Sequence, residues 1–121
     1  YDRKDERGKI FFYDALGAQF ESTDFTTTGS GSPSIRGAMY YLNRWGDQRF
    51  SEHDHDEAIG LALQLLDTAS EYDSATGGYE RAADIFPSVK LITADGLEDV
   101  AVNDLRRLYG QYVDREEGSA T

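Results

Sequence analysis

The sequence predicts an α+β fold in which antiparallel β-sheet is covered by helices, and three observations support this class. Two pairs of short strand-like segments are each joined by a turn signature, which predicts hairpins and therefore antiparallel pairing. Segments with apolar residues at helical spacing lie between and after these pairs. The predicted order is strand, strand, helix, helix, strand, strand, helix.

Length and charge limit the possible partners. The 121 residues form one domain or part of one, with 12 basic and 23 acidic residues and a formal net charge of -11. This balance argues against nucleic acid and anionic membrane as partners, because both are bound through basic surface. No apolar run is long enough to span a bilayer. The absence of cysteine excludes disulfides and thiolate chemistry and is consistent with a cytoplasmic setting.

The first part of the chain predicts a loop followed by a hairpin. Residues 1–8 are charged, lack a signal-peptide pattern and are expected to form a solvated loop; because the chain begins with Tyr, we expect a segment before it. Residues 9–13 are an aromatic-rich strand with both faces at least partly covered. Residues 14–17, Asp-Ala-Leu-Gly, supply the turn, and residues 18–28 return as the second strand. The aromatic residues are expected in a core or a subunit interface.

A glycine-serine turn precedes the first helix. Residues 29–32 read Gly-Ser-Gly-Ser, and Ser30 lies on this flexible frame. Pro33 suits a first helical turn and Ser32 is the predicted N-cap of a helix that ends near Trp45. The turn is either a plain capping turn or a functional one, and the well-patterned helix that follows argues against a free linker.

The second helix is the most strongly patterned element. Residues 57–72 carry a broad apolar stripe made of Ala58, Ile59, Ala62, Leu65, Leu66 and Ala69. The polar loop at 46–56 contains His-Asp-His-Asp at 53–56, which suggests metal ligands. We favour a helix N-terminus there, because acidic side chains oppose the helix dipole and metal sites need ligands that converge in space.

The turn that follows this helix, Asp73–Gly78, concentrates a carboxylate, two hydroxyls and two glycines. A helix C-cap with a loop is the simple interpretation. The alternative is a turn that aims Asp73 and the hydroxyls at one target, since the core would hold the helix end in place.

The last part of the chain predicts a second hairpin and a helix. Residues 85–93 form a strand in which Pro87 indicates an edge, a bulge or a late start. Asp95-Gly96 is a hairpin signal and residues 97–102 are the partner strand. Asn103 is the predicted cap of the final helix, and residues 114–121 are an expected flexible tail.

Four stretches together resemble the second half of a bacterial, actinobacterial-type 20S proteasome β subunit, of the N-terminal-nucleophile (Ntn) hydrolase superfamily. They are Gly29–Ser32 before a helix, Asp73–Gly78 after a long amphipathic helix, Ile85-Phe86-Pro87, and Ala94-Asp95-Gly96. The glycine-serine stretch alone is a weak signal. Asp-Ser-Ala-Thr-Gly-Gly followed by Ile-Phe-Pro is specific, and the resemblance covers nearly the whole chain.

The resemblance implies a fold and an assembly. The fold is two antiparallel sheets sandwiched between helix layers (αββα), of which residues 1–121 supply roughly the second half as one domain portion. The assembly is a particle of stacked heptameric rings, in which unfolded proteins enter an ATPase-fed chamber and are degraded. The implied partners are other β subunits, α subunits, the missing N-terminal half and the polypeptide substrate. The resemblance implies no cofactor and no metal.

The resemblance also implies the chemistry of a threonine endopeptidase. Its nucleophile is the side-chain oxygen of an N-terminal threonine, and the amine of that threonine handles the proton. By resemblance, Ser30 hydrogen-bonds near this amine, Asp73 fixes its environment, and Thr76 replaces a serine of many relatives. The threonine belongs to the first half, so this chain alone is expected to be inactive.

Two alternatives stay open at the level of sequence. The first is a non-catalytic assembly or interaction module that shares the fold. The second is a related bacterial peptidase with hexameric rings, which fits the polar loop at 46–56 and the 73–78 turn less well. A glycine-threonine processing junction upstream of Tyr1 would favour the peptidase over the module.

Overall fold

The computed structural model describes residues 1–22, 24–72 and 86–114. The α+β class predicted from the sequence is confirmed, and the described residues contain four strands paired as two antiparallel hairpins. The elements are β1 (Ile10–Tyr13), β2 (Gln19–Ser22), α1 (Ser32–Trp45), a 3₁₀ turn (Phe50–Glu52), α2 (His55–Tyr72), β3 (Lys90–Thr93), β4 (Gly96–Asp99), α3 (Val102–Leu108) and a π turn (Tyr109–Val113).

The β1–β2 hairpin is closed by the turn predicted for it. The Asp14 carboxylate accepts hydrogen bonds from the amides of Leu16 and Ala18, both at 2.9 Å. Gly17 has a φ of +87°, which a residue with a Cβ rarely adopts. The second strand is shorter than predicted, because its pairing with β1 runs only from Gln19 to Ser22.

The aromatic side chains of this hairpin are exposed. Phe12 and Phe20 stack across the strands with ring centroids 5.2 Å apart, yet each is about 45% exposed. The expectation that both faces of the first strand are at least partly covered is therefore wrong for the described chain. The hairpin pairs only with itself, and no second layer of described residues covers it.

The β3–β4 hairpin follows the sequence closely. Ala94 and Asp95 form its two-residue turn, and Gly96 has a φ of +117°. The Thr93 hydroxyl accepts a hydrogen bond of 3.1 Å from the Asp95 amide. Pro87 lies before the strand, which confirms the late strand start that its missing amide hydrogen predicts.

Two predicted helix caps are wrong. Gly31, not Ser32, is the N-cap of α1, and the Ser34 hydroxyl donates to the Gly31 carbonyl at 2.7 Å. Ser32 is the first residue of the helix and is buried. Ala101 is the N-cap of α3, because Asn103 already lies in its first turn and accepts a hydrogen bond from the Arg106 guanidinium.

The described core lies between α2, α3 and the π turn. Its buried members are Ile59, Leu63, Leu105, Leu108 and Tyr109, and partly buried residues of the β3–β4 region pack against them. Ile59 belongs to the predicted stripe of α2. Leu63 does not, although it is only 1% exposed, because α3 packs on a side of the helix that the stripe does not include.

Residues 1–8, predicted to be a loop, form a closed turn. The backbone groups of Asp2 and Arg7 bond to each other at 2.9 and 3.3 Å. The Lys9 ammonium lies 2.7 Å from the Asp2 carboxylate and 2.6 Å from Asp5. This ammonium is the main reason why the pKa of Asp2 lies below its ordinary value.

None of the helices in the described ranges has the length and apolar character needed to cross a membrane.

Candidate functional site

Ser30 lies in a tight turn that leads into α1. Gly29 has a φ of +97°, and a Cβ built there would meet no atom within 4 Å, so backbone conformation rather than space favours glycine. The Ser32 amide donates to the Gly29 carbonyl at 3.2 Å and closes the turn over Ser30. Ser30 is exposed, and its hydroxyl makes no hydrogen bond within the described part of the chain. The turn therefore presents a free hydroxyl.

An open cavity of about 490 Å³ lies beside this turn. Residues 26–32 form one wall, which is rich in hydroxyl groups and glycine. The other wall is apolar and belongs to the facing sides of α1 and α2, with Ile35, Met39, Ala62, Leu65, Leu66 and Ala69. Such a cavity suits an extended peptide. The wall rich in hydroxyl and backbone groups can hydrogen-bond the amides of the peptide, and the apolar wall can contact its side chains.

Ser32 adds a buried polar group to the cavity wall. The residue is 5% exposed, and its Oγ has no hydrogen-bond partner within the described part of the chain. An unpaired buried hydroxyl costs free energy, so a partner from outside the described residues is favoured at this position.

Asp73 and Thr76, the other two predicted site residues, lie outside the described residues. The structure does describe α2, which ends at Tyr72, the residue before Asp73. Ala69, in the last turn of α2, is 2% exposed and lines the same cavity as Ser30. The last turn of α2, shortly before position 73, therefore borders the same cavity as the Ser30 turn.

The His-Asp-His-Asp segment at 53–56 begins α2. Asp54 Oδ1 accepts the Glu57 amide at 2.8 Å, and the Glu57 carboxylate accepts the Asp54 amide at 3.3 Å. The Glu57 amide is the main cause that holds the pKa of Asp54 below its ordinary value. The interpretation of this segment as a helix N-terminus is confirmed. Across residues 1–22, 24–72 and 86–114, no three His, Asp or Glu side chains converge into a metal site.

A comparison with known protein families matches the part of the chain that contains this turn and both helices that line the cavity. The proteasome subunit family matches residues 1–83, a range that includes Ser30, Asp73 and Thr76. The chain belongs to this family. The match includes the Ser30 turn, α1 and α2, which line the cavity, and also the sequence directly after α2.

Bacterial β subunits of the family are similar to nearly all of the chain. Proteasome subunit beta 1 of Streptomyces avermitilis is 41% identical over 113 residues, which are 93% of this chain and 38% of the relative. Proteasome subunit beta of Streptomyces griseus is 41% identical over 96 residues, 79% and 32% of the two chains. Proteasome subunit beta 2 of Thermomonospora curvata is 37% identical over 108 residues, 89% and 36%. The chain thus spans about a third of the length of the curated relatives it matches.

These relatives confirm the resemblance to an actinobacterial proteasome β subunit. Two features of the candidate site were not found from the sequence, namely the cavity itself and the buried hydroxyl of Ser32. The sequence signal for the cavity lay in Ala62 and Ala69 of the α2 stripe, since their short side chains leave space beside the helix. Ser32 gave no such signal, because serine before proline at a helix start is ordinarily a cap.

Proposed function

We propose that the chain is the C-terminal portion of a proteasome β subunit and supplies supporting residues to a threonine endopeptidase site. Ser30, Asp73 and Thr76 are the residues that it contributes. The nucleophile is the N-terminal threonine of the complete subunit, and the substrate is unfolded polypeptide inside a ring-shaped particle. The observation that carries the proposal is the family match over residues 1–83 together with the shared cavity of Ser30 and the end of α2.

The proposed reaction proceeds through an ester. The threonine oxygen attacks the peptide carbonyl carbon and its proton passes to the threonine amine. The carbon-nitrogen bond then breaks, the leaving nitrogen takes that proton, and an ester joins the substrate to the enzyme. Water hydrolyses the ester and restores the threonine.

The supporting residues act on the threonine amine. An amine that takes and returns a proton needs fixed acceptors, because their number and charge set its pKa and orientation. A free hydroxyl on a rigid turn, such as Ser30, is suited to this role. A carboxylate directly after a packed helix, such as Asp73, is suited to hold the protonated form.

A double-mutant cycle in the complete subunit tests these roles. We expect Asp73→Asn to lower the kcat for a fluorogenic peptide by about 10²-fold, as for the loss of a positioned proton-handling group. Ser30→Ala is expected to lower it less, because it removes a neutral hydrogen bond. Since both act on one amine, the double variant should lose less than the product of the two single effects.

Matched controls are Asp95→Asn in the β3–β4 turn and Ser51→Ala in the 3₁₀ turn. Both positions are exposed and lie outside the cavity wall, so hydrolysis and self-processing should not change. Unchanged kcat and unchanged self-processing in Asp73→Asn would contradict the proposed role. If the loss of kcat in the double variant equals the product of the two single losses, Ser30 and Asp73 do not act on the same amine.

The competing function is a non-catalytic assembly module. The exposed aromatic residues of β1 and β2 favour burial by another chain or segment, and they fit either function. A complete subunit that assembles normally but cleaves no peptide would support the module and overturn the peptidase.

A further inference from the structure

Residues 24–28 lead from the first hairpin into the Ser30 turn and form neither helix nor strand. Within the described ranges, no backbone-backbone hydrogen bond involves them. Residues 26–28 nevertheless belong to the hydroxyl-rich wall of the cavity, which runs from 26 to 32. Because backbone bonds to other described residues do not hold this stretch, side-chain contacts determine where the wall begins.

Asn43, in the second half of α1, holds the first residue of this stretch. Its side-chain amide donates to the Asp24 carboxylate at 2.9 Å and accepts a hydrogen bond from the Phe50 backbone amide at 2.8 Å. A carboxylate only accepts and a backbone amide only donates, so one orientation of the Asn43 amide satisfies both partners. All three residues are half-buried. Asn43 thus joins the start of the wall, α1 and the 3₁₀ turn.

The next residue of the stretch is held by aromatic rings from the same two elements. The Phe25 ring meets the Tyr40 ring of α1 with 4.9 Å between centroids and the Phe50 ring of the 3₁₀ turn with 5.4 Å, both edge to face. Such pairs are favourable beyond the area that they bury. The hydroxyl-rich wall is therefore tied to α1 at both ends, through Asn43 and Tyr40 before it and through the helix N-terminus after it.

We propose that Asn43 is a positioning residue of the candidate site, which acts through the hydroxyl-rich wall on the hydroxyl of Ser30. Four residues separate Phe25 from Ser30, so a shift of residues 24–25 reaches the Ser30 turn. A displacement of about 1 Å at a reacting centre can lower a rate by about 10²-fold. This inference rests on the role of Ser30 in the proposed function and adds the residue that fixes its position.

The test exchanges the two polar side chains in the complete subunit. Asn43→Asp removes the amide donor and places a second carboxylate beside that of Asp24, which it repels. The double variant Asp24→Asn/Asn43→Asp restores the bond in the reverse direction, because the amide now at position 24 donates to the carboxylate at position 43. That carboxylate still accepts the Phe50 amide hydrogen.

The readout is kcat for a fluorogenic peptide, expressed per active site counted with a covalent titrant. Loss of folded subunit lowers the number of sites and leaves this value unchanged. We expect Asn43→Asp to lower kcat by about threefold to tenfold, which corresponds to the loss of one neutral hydrogen bond from Ser30. The exchange should restore it.

Combination with Ser30→Ala shows whether Asn43 acts through Ser30. Once the hydroxyl of Ser30 is absent, Asn43→Asp should lower kcat no further, whereas a purely structural contribution would give the same loss in both backgrounds. Asn103→Asp in α3 is the matched control. It makes the same chemical change at an exposed residue outside the cavity wall and should leave kcat unchanged.

Three results would overturn the inference: unchanged kcat in Asn43→Asp, no recovery in the exchanged variant, or an equal loss in the Ser30→Ala background. If Ser30→Ala alone still lowers kcat in those experiments, the proposed function stays intact. No effect of Ser30→Ala would instead contradict the role of Ser30 itself, and the inference would fall with it.

Discussion

Gly60 allows α2 and the π turn to pack closely, because it has no side chain at their contact. A Cβ built on Gly60 would lie 2.5 to 2.8 Å from three ring atoms of Tyr112. The Gln64 amide also donates to the Tyr112 carbonyl at 2.8 Å. The π turn is thereby held against α2 from both the ring and the backbone of Tyr112, and a larger residue at position 60 would push it away.

We therefore expect Gly60→Ala to destabilise the complete subunit. Overpacking a close contact costs about 1–3 kcal/mol. The higher helix propensity of alanine returns only about 1 kcal/mol. The net result should be a lower midpoint in urea unfolding, with a loss of up to about 2 kcal/mol by these two estimates.

Gly37 in α1 is the matched control for this variant. A Cβ at Gly37 would meet no atom within 4 Å, so only the helix propensity changes. Gly37→Ala should stabilise the subunit by at most about 1 kcal/mol. Equal effects of the two substitutions would show that the contact with Tyr112 does not determine the stability of this region.

The two serines of the Ser30 turn show how far prediction at single residues reaches. Ser30 was assigned to the site by the family resemblance; it lies exposed beside the cavity, and its role stays a prediction. Ser32 was assigned to a cap because its position in the sequence matches one, yet the helix begins one residue earlier than that assignment requires. Sequence gives the type of residue at a helix start, but the exact residue that caps depends on the incoming backbone.

At the scale of elements, the N-terminus of α2 depends on one charged cap. Asp54 and Glu57 bond reciprocally, and the pKa of Asp54 lies below its ordinary value of 3.8. A carboxyl group whose pKa is lower in the folded state stabilises that state at pH values above its unfolded pKa. This contribution is lost as the pH falls through the folded pKa.

We expect Asp54→Ala to lower the thermal midpoint of the complete subunit at neutral pH. The difference from the unsubstituted protein should shrink as the pH falls below 3.8, because both proteins then lack the carboxylate. Calorimetry across this pH range measures it. A difference between Asp54→Ala and the unsubstituted protein that stays constant across this pH range would exclude the charged cap.

Turns were the most predictable elements of this chain, and helix packing was the least. Asp14–Gly17 and Asp95-Gly96 specify hairpins through local backbone chemistry, and both hairpins are present. The apolar stripe of α2 predicted one packed face. The helix is in fact used on more than one side, because Leu63 meets α3 while Leu65 borders the cavity. The spacing of apolar residues along one helix does not predict which distant segments pack against it.

At the scale of the whole molecule, many large apolar side chains of the described chain lie outside the core and are exposed. Large apolar side chains at least one-third exposed occur on all four strands and on α1 and α3 of the described chain. In the proposed complete subunit, such surface is available to the portion of the polypeptide that lies outside this chain, which spans about a third of the length of its relatives.

The intact mass and first residue of the subunit, purified from its natural source, test this account most directly. We predict a polypeptide well above the mass of 121 residues that begins with threonine, because the proposed nucleophile needs a free amine on the same residue. This chain would then be the supporting portion of its active site. A mature subunit without an N-terminal threonine would contradict the peptidase, since Ser30, Asp73 and Thr76 would have no nucleophile to serve.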